Sequence, residues 1–379
     1  MPFSKLNLNT ELTQKLIDKG YEKPYPIQQQ AIPAILKRKD VLGIAQTGSG
    51  KTASFVLPIL NNFKQKNTDK NRFVDVLVLV PTRELAAQVE GVFKEFNQVL
   101  KYPAVIKSVY GGVSINPQMK GLYGVNILIA TPGRLIELVN SKALSLTKVS
   151  TLVLDEADKM LNLGFKDEVD SILQLLPKKR QNLLFSATLS DKVNKIKQMV
   201  LREPIVLNIK PKEANIDIIV QIAYSVEPER KGPLLRHIIK ANDLQQVLVF
   251  TSSTFKADNV ASKLRKNNIQ ATAIHSKKSQ GARTAALRKF KEGTLRVLVA
   301  TDLLARGIDI EFLPCVINFE LPRSPKDFIH RIGRTGRAEN PGKAITFFGS
   351  EEEHHFRVIQ KKMKKKIEIQ DGDKIVLSI

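Results

Sequence analysis

Short runs rich in branched aliphatic residues, each bounded by turn residues and followed by a longer amphipathic stretch, recur along this chain. In the first half the runs are Val41–Ala45, Val74–Val80, Val105–Val109, Ile127–Ala130, Leu152–Leu154, Leu183–Phe185 and Ile205–Leu207. None alternates with polar residues. A strand with one face in water must alternate, whereas a strand of a parallel sheet covered on both faces need not. Between the runs lie helical patterns such as Arg83–Asn97 and Gly133–Asn140. Strand–helix alternation of this kind implies an α/β fold: a mostly parallel sheet with helices on both faces.

The 379 residues exceed what one hydrophobic core organises, so two domains are expected. The stretch Lys210-Pro211-Lys212-Glu213-Ala214-Asn215 carries proline and charge without apolar period. It reads as a linker over 210–216, dividing the chain into domains 1–209 and 217–379. Beyond it the alternation restarts at Val247–Phe250, Ala271–Ile274, Val297–Ala300, Val316–Phe319 and Ala344–Phe348. The second half thus repeats the architecture of the first.

Sixty Lys and Arg face 37 Asp and Glu, a formal charge of +23. That excess points to a polyanionic partner, nucleic acid before an acidic membrane surface. A lysine cluster near the end, Lys361, Lys362, Lys364, Lys365 and Lys366, reads as a solvated helix face or a contact to an RNA backbone. The lone Cys315 leaves no intrachain disulfide and no cysteine-based zinc site. No apolar run approaches the ~20 residues that span a bilayer. The start, Met1-Pro2-Phe3-Ser4-Lys5, leads into a polar helical pattern unlike a signal peptide, and a cytoplasmic protein is expected.

Chemistry enters at Ala45-Gln46-Thr47-Gly48-Ser49-Gly50-Lys51-Thr52, between a strand and a helical pattern. This is the Walker A arrangement, with Ala45 where the strict pattern has Gly. Gly48 and Gly50 let backbone N–H groups turn inward around phosphate oxygens, and the helix N-terminus adds positive potential. Gln46, Thr47 and Ser49 complete the cradle. Lys51 can reach the β- and γ-phosphates, and the Thr52 hydroxyl can meet Mg²⁺. Asp155-Glu156-Ala157-Asp158 closes the strand Leu152–Leu154. A carboxylate at a buried strand end is what Mg²⁺ needs beside such a loop, which makes Asp155 the metal-side acid, partly through water. Glu156 is placed to orient and deprotonate an attacking water. Asp158 lies too far along to share that work and is expected to bond to a neighbouring motif.

With these elements the chain resembles the DEAD-box RNA helicases of helicase superfamily 2, in their compact bacterial form, over nearly its whole length. The resemblance implies two tandem RecA-like domains and an ATP- and Mg²⁺-dependent RNA helicase. Gly20-Tyr21-Glu22-Lys23-Pro24-Tyr25-Pro26-Ile27-Gln28 is similar to the Q motif, with Phe3 as its upstream aromatic and Tyr25 where Thr is usual. By that resemblance Gln28 reads the adenine edge and Tyr21 stacks on the base. Pro81-Thr82-Arg83, Gly111-Gly112 and Thr131-Pro132-Gly133-Arg134 resemble the RNA-facing motifs of the first domain. The resemblance joins Ser186-Ala187-Thr188 to the acidic motif and so couples hydrolysis to strand separation.

In the second domain Thr251 closes a segment like motif IV, and Gln280 and Arg283 resemble the Gln-x-x-Arg element. Ala300 to Asp309 resemble motif V, with Thr301 expected at RNA phosphate and Gly307 and Asp309 at the nucleotide. His330-Arg331-Ile332-Gly333-Arg334-Thr335-Gly336-Arg337 resembles motif VI, with Arg334 and Arg337 as arginine fingers and His330 and Arg331 in coupling. His275-Ser276-Lys277-Lys278-Ser279 departs from the common His-Gly-Asp. Because the ATP residues fall in two domains, ATP is expected to complete its contacts only when the domains close, working as a monomer on RNA backbone without base specificity. A DNA-directed superfamily 2 helicase and an ATP-gated RNA clamp with little turnover share most of these parts.

Overall fold

Four-residue strands with no exposed face form the spine of the first half. In the computed structural model, which describes residues 2–46, 48–64, 71–209, 218–302, 313–336 and 342–377, β2 (Val76–Leu79), β4 (Ile127–Ala130) and β5 (Thr151–Leu154) are buried at every position. Such runs require cover on both sides, and they receive it. β1 (Val41–Ile44), β3 (Ile106–Val109), β6 (Gln181–Ser186) and β7 (Ile205–Asn208) complete a parallel sheet in the order β3-β4-β2-β5-β6-β1-β7. The register is continuous: Val41 pairs with Leu183 on one side and Ile205 on the other.

One face of this sheet is packed by α2 (Pro26–Leu36), α3 (Lys51–Asn62) and α4 (Arg83–Asn97). Phe55 sits at its centre, 5.5 Å from Phe185 and 6.3 Å from Phe93 between ring centroids. The opposite face is covered by α6 (Pro132–Asn140), α7 (Ala157–Asn162), α8 (Lys166–Leu175) and α9 (Asp191–Val200) through Leu135, Met160, Val169 and Val193. Rings and branched chains of this size each contribute about 1.5–3 kcal/mol when fully buried.

The chain divides into two compact units, Met1–Pro211 and Lys212–Ile379, and the linker expected at 210–216 lies outside the described residues. The second unit is again a parallel sheet. Its strands are β8 (Val220–Ser225), β9 (Val247–Thr251), β10 (Ala271–Ile274), β11 (Val297–Thr301), β12 (Cys315–Asn318), β13 (Lys343–Phe348) and β14 (Glu368–Asp371), in the order β10-β11-β9-β12-β13-β8-β14. β8 and β14 lie beyond the runs read from the sequence. β14 is an edge strand, Glu-Ile-Gln-Asp, whose charge is what an unpaired edge tolerates, so it carries no apolar signal. The helices are α10 (Pro228–Ala241), α11 (Thr254–Lys266), α12 (Gln280–Lys291), α13 (Pro325–Ile332) and α14 (Glu353–Met363). Phe356 of α14 stacks on Phe348 at 4.7 Å and leans on Phe328 of α13. Among the described residues no helix is long and apolar enough to cross a membrane.

Candidate active site

The carboxyl ends of parallel strands are where open α/β sheets place ligands, because helix N-termini and loops converge there. In the first unit those ends carry the phosphate loop after β1, Ser186 to Thr188 at the end of β6, and Asp155 and Glu156 after β5. Gly48 and Gly50 have φ of 80° and 83°, left-handed values that a side chain resists. A Cβ on Gly50 would also fall 2.5 Å from Gln28 Nε2 and 2.8 Å from Tyr25. The Gln28 amide, buried, donates to Gly50 O at 3.1 Å and accepts from Tyr25 N at 2.9 Å, tying α2 to the loop. Tyr21 is 42% exposed, with Phe3 edge-on at 6.4 Å and Phe96 at 6.5 Å. Lys51 is buried, and its Nζ donates to Ala45 O at 2.7 Å. Ser49 Oγ donates to Gln46 O at 2.7 Å. Thr52 opens α3 beside Lys51, and Thr47 lies outside the described residues.

Asp155 is 2% exposed. Burial pushes its carboxyl up to about 6; the Lys51 ammonium opposes that, neighbouring Glu156 adds to it, and the Glu156 N–H, donating at 2.9 Å, opposes it again. A buried carboxylate held this far above the ordinary range suits a nearby cation. Among the described residues no cluster of three acids, histidines or cysteines could hold a metal by itself. Were a Mg²⁺ to bind with ligands from phosphate and water, Asp155 and the Thr52 hydroxyl are the groups that would hold it.

Glu156 departs from ordinary backbone geometry, with φ 51° and ψ 47° at the start of α7. A bulky residue held left-handed costs on the order of 1 kcal/mol and persists where the surroundings fix it. Its carboxylate is buried, and Oε1 accepts from Lys159 Nζ at 2.8 Å. Asp158 Oδ2 accepts from Thr188 Oγ1 at 2.9 Å, and Ser186 Oγ donates to Thr188 O at 2.7 Å. Thr188 thus bonds to the acidic segment directly, and Ser186 supports it through the backbone.

The adjacent strands β3, β4 and β2 bring the motifs expected to face RNA to one edge. Thr82 caps α4 by accepting from Leu85 N at 3.3 Å. The Arg83 guanidinium lies where a Cβ on Gly112 would be 2.8 Å from Nη1, and the left-handed backbone there (φ +78°) further strains a side chain. Thr131 Oγ1 accepts from Gly111 N at 3.4 Å. Arg134, one turn into α6 beyond Pro132, is buried; Nε donates to Glu137 and Nη2 to Val113 O at 2.7 Å, while Nη1 is buried without a protein partner. Pro81 joins β2 to Thr82. Gln118, which the sequence did not single out, clamps the same loop by bonding both backbone groups of Tyr110.

In the second unit Thr251 and Thr301 end adjacent strands β9 and β11, both buried. Arg283 is buried on α12 and donates to Gln280. Arg331 is 2% exposed and forms a hub: a two-point pair with Asp302, Nη1 donating to Asn318 Oδ1 at 3.2 Å and Glu320 O at 2.6 Å, and the guanidinium 5.0 Å from the Phe250 ring centroid. Nearby, Glu320 accepts from Ser252 N and Oγ, each at 2.7 Å, and pairs with Lys256. Burial raises the Glu320 carboxyl, but Lys256 and Ser252 together hold it below its ordinary value. His275 is buried against Asp258, which Lys278 also grips at 2.7 Å. Arg334 and exposed His330 flank the hub on and just beyond α13. Gly307, Asp309 and Arg337 lie outside the described residues.

Residues 25–196 match the DEAD/DEAH box helicase family model, and residues 230–339 the helicase conserved C-terminal domain. Among solved structures the chain is similar to a DEAD box protein of the hyperthermophile Methanococcus jannaschii, 36% identical at a TM-score of 0.56 over 98% of this chain and 99% of that one. Dbp5 of S. cerevisiae bound to RNA and ADP BeF3 is 29% identical at a TM-score of 0.83, over 98% and 96%. Fold and site together define a two-unit RecA-like protein with a phosphate loop. The DEAD-box ATP-dependent RNA helicase CshA of Bacillus subtilis is 38% identical over 97% of this chain and 73% of its own length, and CshA of Geobacillus kaustophilus 39% over 97% and 77%. The chain belongs to the DEAD-box RNA helicases.

Proposed function

We propose that this enzyme couples RNA-stimulated ATP hydrolysis to local opening of RNA duplexes and remodelling of RNA–protein assemblies. The observation that carries the reading is the bond from Thr188 to Asp158 at 2.9 Å, which joins the segment holding Asp155 and Glu156 to a neighbouring strand end. The matched relatives are named ATP-dependent RNA helicases, and a phosphate-loop lysine with two acids at a strand end supports the same activity here.

In this reading the phosphate loop from Gln46 to Thr52 holds the triphosphate, Gln28 and Tyr21 face the base, and Gly307 and Asp309 face the ribose. Asp155 and Thr52 hold Mg²⁺, which when bound neutralises phosphate charge. Glu156 orients the water and takes its proton. Arg334 and Arg337 offset charge on the transferring phosphoryl group, a contribution of roughly 10³–10⁵ in rate where such arginines act. RNA is held by backbone contacts at Thr82, Arg83, Gly111, Gly112, Thr131, Arg134, Thr251, Gln280, Arg283 and Thr301. ATP and RNA each strengthen binding of the other, as linkage requires when both favour one state. We place the enzyme in the cytoplasm, working as a monomer through domains 1–209 and 217–379.

The test is ATP hydrolysis at one low salt concentration with no nucleic acid, with single-stranded RNA and with matched DNA. Stimulation by RNA alone is expected; equal stimulation by DNA would transfer the enzyme to the DNA-directed helicases. Glu156→Gln is expected to abolish hydrolysis while ATP-dependent RNA binding survives, and full turnover in that variant would remove Glu156 from its role.

A further inference from the structure

The Glu156 carboxylate is buried and held by one cation. Oε1 accepts a hydrogen bond from Lys159 Nζ at 2.8 Å, and Oε2 stands at the same 2.8 Å from that ammonium, so the lysine grips both oxygens. One ammonium cannot fill every acceptor site of a buried carboxylate, which leaves acceptor capacity for a polar group that arrives later.

Lys159 is itself closely fixed. Its backbone N donates to Glu156 O at 2.9 Å and to Asp158 Oδ1 at 3.1 Å, and Asp158 is held by Thr188. Its side chain is 24% exposed, against 8% for Glu156. The left-handed backbone of Glu156 turns the residue out of helical geometry, and the one-turn reach from Lys159 then fastens its carboxylate.

We propose that Lys159 is a positioning residue for hydrolysis: by gripping both oxygens it fixes the Glu156 carboxylate in the place from which it takes the proton of the attacking water. This rests on the reading of Glu156 as the base. In the step, a water O–H bond breaks, its proton passes to the Glu156 carboxylate, the water oxygen bonds to the γ-phosphorus, and the bond from that phosphorus to the bridging oxygen breaks. A general base contributes only when its acceptor atom is held within hydrogen-bond reach of the proton, and a displacement near 1 Å costs up to about 10²-fold.

The experiment measures RNA-stimulated ATPase kinetics for the full chain carrying Lys159→Met, Lys159→Arg or Glu156→Gln. Lys159→Met is expected to lower kcat roughly tenfold with the KM for ATP within about twofold of wild type, and Lys159→Arg to restore most of the loss. An unchanged or raised kcat in Lys159→Met would overturn the proposal, as would a parallel failure of Lys159→Arg. If Glu156→Gln still turns over, the base assignment fails and this proposal with it. If Glu156→Gln is inactive while Lys159→Met is normal, only the role of Lys159 falls.

Discussion

Replacing Asp155 by Asn in the metal-free protein isolates the electrostatic cost of a buried charge. Burial raises the Asp155 carboxyl from 3.8 to about 6 in the folded chain. At about 1.36 kcal/mol per tenfold, that gap amounts to roughly 3 kcal/mol. For a carboxyl raised on folding, the folded state binds more protons than the unfolded one between those two values. Stability therefore falls as pH rises through the window, and the full cost is present above it. The amide that replaces the carboxylate has no charge to bury, so Asp155→Asn should gain on wild type as pH rises. From pH 5 to pH 8 the linkage integral leaves about 1.4 kcal/mol of the gain still to develop. Urea unfolding in EDTA at steps across that range would register this as a shift of the order of 0.5 M in the difference between the two midpoints of the first unit's transition. Taking the difference cancels the carboxylates common to both proteins. A difference that stays flat from pH 5 to pH 8 would refute the reasoning, because the carboxyl would then not be titrating there.

Two further outcomes test the parts around the site. Arg331→Ala breaks the two-point pair with Asp302 and frees the Glu320 carbonyl, so unfolding of the second unit should be easier by about 3–5 kcal/mol, visible by chemical denaturation before any assay of turnover. Thr188→Val keeps the shape but removes the donor to Asp158; it should cost about 1–2 kcal/mol in stability and lower duplex opening more than RNA-stimulated ATPase, and equal losses in both would mean the bond is only structural.

The phosphate loop and the acidic strand end were legible in the sequence because phosphate and Mg²⁺ chemistry dictate residue type at fixed spacing. Gly48, Gly50, Lys51 and Asp155 leave little choice. The buried strands were legible for a similar reason: a sheet covered on both faces permits only apolar runs. β14 escaped because an edge strand obeys the opposite demand and looks like a polar loop. The pairings escaped altogether. Nothing local in the sequence says that Gln118 clamps the backbone of Tyr110, or that Ser252, Lys256 and Glu320 meet across two strand ends. Those contacts depend on strand order, which is a property of the whole chain.

Arginine shows how residue type and residue role part company. Arg134 and Arg331 both stand in motifs whose resemblance assigns them to RNA contact or coupling, and both are buried. A guanidinium brings five donors, more than one phosphate can use, and burial is tolerable only when most of them are matched. Arg331 spends its donors on Asp302, Asn318 and Glu320, so it ties the helix that Arg334 follows to the neighbouring strand ends. Arg134 spends two on Glu137 and Val113, which fixes the loop after Gly112, and leaves Nη1 unmatched. One donor held back on an otherwise anchored side chain is the arrangement a transient anion contact needs: the anchor removes the ordering cost, and the spare N–H supplies the bond.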